Sequence, residues 1–149
     1  MPSAGSGVLR AGRPEAFLVD VYETLLTCDF AVLRTELPAI AGADPQTWSE
    51  AFARLGPDLT TGRLSMAQGF GLVLQACGIA ARPGLVTELV RADRDALLAS
   101  SQLHADAIPF LRSLRSGGIR IALVSNCAPN TRPLLSGLGL SGLDRKSVG

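Results

Sequence analysis

Ile119-Arg120-Ile121-Ala122-Leu123-Val124-Ser125-Asn126 is the stretch on which the fold of this chain turns. Its branched aliphatic run suits a strand, and the run ends abruptly in two polar residues. Upstream, Asp106 reads as the cap of a helix holding Ile108, Leu111 and Leu114, stopped by Gly117-Gly118. Downstream, Pro129 starts a helix carrying Leu134, Leu135 and Leu138. A strand followed by a helix in this way belongs in a parallel sheet with helices on its faces. A second apolar run, Ala16-Phe17-Leu18-Val19-Asp20, ends in a carboxylate and suits a strand buried on both faces of such a sheet. Ligands of open α/β sheets bind beyond the C-terminal ends of the strands. Asp20 and Ser125, about a hundred residues apart, can therefore face one small cavity.

Between these strands the pattern changes period. The chain turns helical soon after Asp20, and residues from about 30 to about 100 read as all-helical. Asp44-Pro45 is an N-cap followed by proline at the first helical position, and Trp48, Ala51, Phe52 and Leu55 form one apolar face. Gly56-Pro57 ends that helix. Ser65-Met66-Ala67-Gln68 is a capping box, followed by Phe70, Val73, Leu74 and Cys77, with Gly78 as the stop. Pro83-Gly84 opens a further helix through Leu85, Leu89, Ala92 and Ala96, whose exposed side carries Arg91, Asp93, Arg94 and Asp95. Residues 1–14 are rich in Gly, Ser, Ala and Pro without periodicity and read as a flexible leader.

Composition excludes several classes. Of 149 residues 47% are hydrophobic and 18% charged, enough apolar surface to offset chain entropy, and the net charge of +1 gives no long-range attraction for nucleic acid or an anionic membrane. No apolar run approaches the roughly 20 residues of a bilayer span, and the N-terminus lacks the apolar core of a signal peptide, so the cytoplasm is the expected compartment. Cys28, Cys77 and Cys127 are too far apart for a CxxC motif and read as reduced, mostly buried thiols. With His104 the single histidine, no structural zinc site is expected.

A carboxylate at a strand end can act as a covalent nucleophile or ligate Mg²⁺. A serine hydroxyl and the amides behind it can hold an anionic oxygen or a departing anion. Taken alone, Asp20 also suits a strand-end turn and Ser125 an N-cap for the next helix. Asp20-Val21-Tyr22-Glu23-Thr24-Leu25 resembles the first motif of the haloacid dehalogenase-like (HAD) hydrolases, an apolar strand followed by Asp-x-Asp-x-Thr, or Asp-x-Tyr-x-Thr in the dehalogenase-like branch. Ile121-Ala122-Leu123-Val124-Ser125-Asn126 resembles their second motif, an apolar strand ending in Ser or Thr. The resemblance spans residues from about 16 to 143. It implies an α/β fold, a HAD-like Rossmannoid parallel sheet that is incomplete here, with an inserted α-helical cap. Residues 15–29 and 101–143 would be the core, and 30–100 the cap.

The resemblance assigns roles to individual residues. Asp20 would be the nucleophile that forms an aspartyl ester, and would ligate Mg²⁺ in a phosphatase-like member together with the Tyr22 backbone carbonyl. Thr24 would help order the turn after the strand and count with Ser125 and Asn126 among the substrate- and phosphate-binding residues. Ser125 would bind a phosphoryl group or, with Asn126, a substrate carboxylate or halide. The substrate would be small and anionic, a phosphate ester or a 2-haloacid; dehalogenase-like chemistry would need no cofactor. Tyr22 stands where phosphatases of the family carry an acid–base aspartate, and a phenol with a pKa near 10 is poorly suited to shuttle that proton. This favours the dehalogenase-like branch. Glu23 stands where glycine is usual, a strained position if φ is positive. Arg54 and Arg63 read as solvated surface arginines, His104 as a loop residue, and Trp48 and Phe70 as core of the helical part.

The family also needs a lysine and an acidic cluster, both expected beyond residue 143. Lys146 lies too close to Ser125 to be that lysine. Against thirteen arginines it is the single lysine, and the Asp144–Gly149 tail that holds it reads as non-native. The sequence thus predicts the N-terminal part of a HAD-like hydrolase, inactive by itself. The alternative is a non-catalytic binding or regulatory module that keeps the fold.

Overall fold

The computed structural model describes residues 14–140, so the expected leader falls almost wholly, and the expected 144–149 tail entirely, outside the described residues. Strand β1 (Ala16–Asp20) is followed by a tight turn and a short strand β2 (Leu26–Cys28). Four helices come next: α1 (Ala31–Ala41), α2 (Pro45–Thr60), α3 (Met66–Ala76) and α4 (Pro83–Ala99). The chain then returns through β3 (Ser101–Leu103), α5 (Ala107–Ser116), β4 (Arg120–Val124) and α6 (Thr131–Gly137). The architecture is α/β. β1 and β4 pair in parallel, with Ala16 opposite Arg120 and Asp20 opposite Val124.

β2 and β3 were not foreseen. They pair antiparallel, Leu26 with Leu103 and Cys28 with Ser101, and so close the base of the helical insert. The backbone bonds Asp29 N–H to Ser100 O (3.1 Å) and His104 N–H to Leu25 O (2.9 Å) extend this closure on both sides. The insert therefore leaves and re-enters the α/β part through one narrow neck.

The insert has its own core of Leu37, Trp48, Leu59, Phe70, Leu74 and Leu89. Phe70 is fully buried, with ring centroids 6.1 Å from Trp48 and 5.7 Å from Phe52. Three of its four helix starts are ones the sequence marks, whereas α1 follows Phe30 with no side-chain cap bond. Asp44 accepts from Thr47 N–H at 2.8 Å, which holds its carboxyl below the usual range. Ser65 and Gln68 form both halves of a capping box.

Several expectations need correction. Gly56-Pro57 does not end α2, which continues to Thr60. Gly56 lacks the Cβ that is part of the clash between a proline and its predecessor, and α1 likewise continues through Leu37-Pro38, so proline does not stop a helix here. Thr60 Oγ1 and Thr61 N–H then engage the Gly56 and Pro57 carbonyls. Asp106 occupies the N-cap position of α5 but makes no side-chain cap bond, its backbone being already helical. The last helix begins at Thr131 rather than Pro129, six residues past Ser125, so Ser125 is not its N-cap. Asp93 is not exposed but 3% accessible. The three cysteines are free thiols, half-buried rather than buried.

β1 is buried on one face only. Val19 and Ile121 pack against Ala107, Leu111 and Leu140. On the opposite face Leu18 is 73% and Val124 44% exposed, because no described element covers it. Among the described residues no helix is long and apolar enough to cross a membrane.

Candidate functional site

Asp20 and Val124 end adjacent parallel strands in register, which puts Asp20 beside the start of the Ser125–Asn130 loop. The Asp20 side chain is exposed, and among the described residues it has no hydrogen-bond or ion-pair partner. Behind it the chain reverses in a turn held by backbone bonds: Leu25 N–H to Val21 O at 2.9 Å and Glu23 N–H to Leu26 O at 2.7 Å. Glu23 sits there at φ 60°, the one non-glycine residue with positive φ among those described, so of the two geometries left open by the sequence it takes the strained one. Thr24 is exposed and makes no side-chain hydrogen bond among the described residues, so the backbone orders this turn.

Tyr22 is half-buried. Its hydroxyl is 3.0 Å from Thr131 Oγ1, and its ring tilts against Phe30 at 5.4 Å. Burial pushes the phenol pKa above its ordinary value, outweighing the bond to Thr131 that lowers it; the nearby Cys127, Cys28 and Asp93 raise it further. The proton is thus held on the phenol at neutral pH.

Two cavities border the loop after β4. The first, about 820 Å³, is lined by Ser125, Pro129 and Arg132 of this segment and by Leu59, Thr60 and Gly62 at the end of α2. The second, about 560 Å³, lies against α1, α2 and α4 and includes Tyr22, Asn126 and Asn130. Ser125 and Asn126 therefore border different cavities, although Cys127, Ala128 and Thr131 border both. Asp20 and Thr24 line neither. Trp48 is core, as expected, but also walls the second cavity. Arg54 and Arg63 are exposed, near Glu50 (4.0 Å) and Asp58 (3.3 Å). His104 is half-buried in the loop after β3.

Sequence reasoning missed Arg132, Asn130 and Asp93. Asp93 borders the second cavity and accepts a hydrogen bond from Asn130 Nδ2 at 2.8 Å. Burial raises its carboxyl pKa, and the Asn130 bond offsets part of that rise. Its spacing was the available signal: Leu89, Asp93 and Ala96 fall at i, i+4 and i+7, on the apolar face of α4.

For a metal, the described residues offer the Asp20 carboxylate and the Tyr22 carbonyl, and they contain no group of three His, Cys, Asp or Glu side chains able to hold an ion. Mg²⁺ wants six oxygens in near-octahedral geometry and is bound by one or two carboxylates with waters and substrate phosphates. These two donors do not fit it by themselves.

No family model matches the chain, and no curated protein matches it by sequence. Among solved structures it is similar to a HAD phosphatase from Thermococcus onnurineus, at 19% identity and a TM-score of 0.47, over 87% of this chain and 59% of that one. It is similar also to a dehalogenase, at 21% identity and a TM-score of 0.47, over 89% of this chain and 60% of that one. The chain thus spans less than two thirds of the length of either neighbour.

Proposed function

We propose that the chain carries the nucleophile half of a HAD-like hydrolase, with Asp20 as nucleophile and Ser125 and Asn126 as anion-binding residues. The observation that carries this reading is the register of β1 and β4, which brings Asp20 beside the loop that begins at Ser125. One Asp20 oxygen would attack the substrate. With a 2-haloacid, a C–O bond forms as the C–halogen bond breaks and halide leaves with the electron pair. Water then cleaves the aspartyl ester, restoring the carboxylate and releasing the hydroxy acid and a proton.

Halide leaves without needing a proton, whereas the alkoxide of a phosphate ester needs one. Tyr22, with its pKa raised and its hydroxyl engaged by Thr131, is poorly placed to supply and recover that proton. This favours a haloacid over a phosphate ester. Thr24 is kept as a residue of the turn rather than a substrate contact.

The second reading, a binding module that keeps the fold, draws on the absence of any cation within 4.0 Å of Asp20 among the described residues. We further propose that residues 1–149 are part of a longer hydrolase, since the lysine and acidic cluster that the family resemblance calls for are not among the described residues. The test compares the 149-residue chain, the reading frame extended past residue 143 in its source genome, and Asp20→Asn in each, for halide and phosphate release. The extended protein is expected to release halide in an Asp20-dependent way, and the 149-residue chain to show no hydrolysis above its variant. An extended protein without Asp20-dependent turnover of either substrate class supports the binding module instead.

A further inference from the structure

The cavity of about 560 Å³ against α1, α2 and α4 has the size of a small-molecule site. Its wall is aromatic: Tyr22, Phe30, Trp48 and Phe52 all border it, the first two with ring centroids 5.4 Å apart and the last two 6.4 Å apart. Asp93 borders the same cavity and is 3% exposed. One of its carboxylate oxygens accepts from Asn130 Nδ2 at 2.8 Å. No other hydrogen bond to this carboxylate, and no arginine or lysine nitrogen within 4.0 Å of it, occurs among the described residues. Arg34 of α1 borders the cavity too, but it is exposed and forms no ion pair with Asp93.

A buried carboxylate with one neutral amide partner is under-compensated, and it favours a ligand that brings charge-assisted donors. The faces of the surrounding rings are negative and favour a cation as well. An anion would be repelled by both. A ligand without donors would leave a carboxylate oxygen unpaired as it displaced solvent.

We propose that this cavity binds a small apolar molecule bearing an ammonium group, its body against the aromatic wall and its N–H groups on Asp93. Asp20 does not line the cavity but Tyr22 and Asn126 do, so the ammonium site shares a wall with the hydrolase reading while resting on Asp93 and the rings. The carboxylate probe below separates the two, since its tighter binding would favour Asn126 as an anion contact.

Trp48 is the single tryptophan and borders the cavity, so its fluorescence reports occupancy directly. The 149-residue chain would be titrated at neutral pH with 2-phenylethylamine, 2-phenylethanol and 3-phenylpropanoate, three probes with one body and different heads. The amine is expected to saturate the Trp48 signal at a concentration about tenfold lower than the alcohol, and the propanoate not to saturate it. Asp93→Asn keeps the shape without the charge and should abolish the preference for amine over alcohol, while Arg34→Gln should leave it in place. Equal or tighter binding of the alcohol or the propanoate, no saturable signal with the amine, or a preference that survives Asp93→Asn overturns the proposal. The wild-type series decides between a cationic and a neutral head by itself, so the proposal remains open to refutation even if Asp93→Asn fails to fold.

Discussion

Asp93 is a buried acid on the apolar face of a helix, and such a group costs stability when it ionises. Its pKa lies above the ordinary 3.8, with burial the main cause. In the window between that ordinary value and the raised folded value, the native state binds more protons than the unfolded chain. Stability therefore falls as pH rises through the window, and the cost is complete once pH exceeds the raised folded value. Asp93→Asn retains an oxygen for Asn130 and removes the charge. Its melting temperature should exceed wild type at neutral pH, and the gap should close on acidification towards about pH 3. Thermal unfolding of both proteins across that range checks this; a gap independent of pH would remove ionisation as the cause. A group retained at a cost to folding is also what a ligand site demands. The sequence hid this residue behind its neighbours: Arg91, Arg94 and Asp95 made the whole face look solvated, and Asp93 is buried only once α4 packs in the folded chain, with Asn130 as its hydrogen-bond partner. Glu23 was partly legible for the opposite reason, because φ is a local property and the turn motif marks the position, though not which geometry it takes.

At the scale of elements, helix starts were legible where the capping side chain itself makes the bond, whereas the Gly56-Pro57 stop, the Asp106 cap and the Pro129 start were misread. The caps at Asp44 and Ser65 satisfy helix donors within three residues, so their sequence patterns suffice. β2 and β3 are three residues each and pair across the whole helical insert, and nothing local distinguishes them from loop. Pro57 misled because a proline is tolerated inside a helix here, as Pro38 is in α1, with Thr60 and Thr61 engaging the carbonyls of Gly56 and Pro57. The energetics separate in the same way. Ser65→Ala removes one exposed cap and should cost about 1 kcal/mol. Phe70→Ala removes a ring that is 0% exposed and contacts both Trp48 and Phe52, and should cost about 3–5 kcal/mol. Denaturant unfolding followed at Trp48 compares the two. A cost for Phe70→Ala no larger than that for Ser65→Ala would mean that the aromatic cluster is not the core of the insert.

For the molecule as a whole, the parallel pair carries the consequence. Residues 16, 18 and 20 of β1 share a face with 120, 122 and 124 of β4, since side chains alternate along each strand. On that face Leu18 is 73% and Val124 44% exposed, while on the other Val19 and Ile121 are each 6% exposed. Purely parallel pairs are normally covered on both faces, because their strands are apolar throughout. An apolar face that no described element covers, beside strand edges that no described strand pairs, favours association between copies of the chain. The 149-residue chain should therefore sediment as concentration-dependent oligomers. Leu18→Lys places a charge at the centre of the face without disturbing the packed side, so it should shift the distribution towards monomer while changing stability by no more than about 0.5 kcal/mol. Sedimentation velocity over a range of concentrations, with thermal unfolding of both proteins, measures the two effects separately. A wild-type chain that stays monomeric throughout would show that the open face is protected by some other part of the protein. An Leu18→Lys variant that unfolds would show that Leu18 is buried in solution after all.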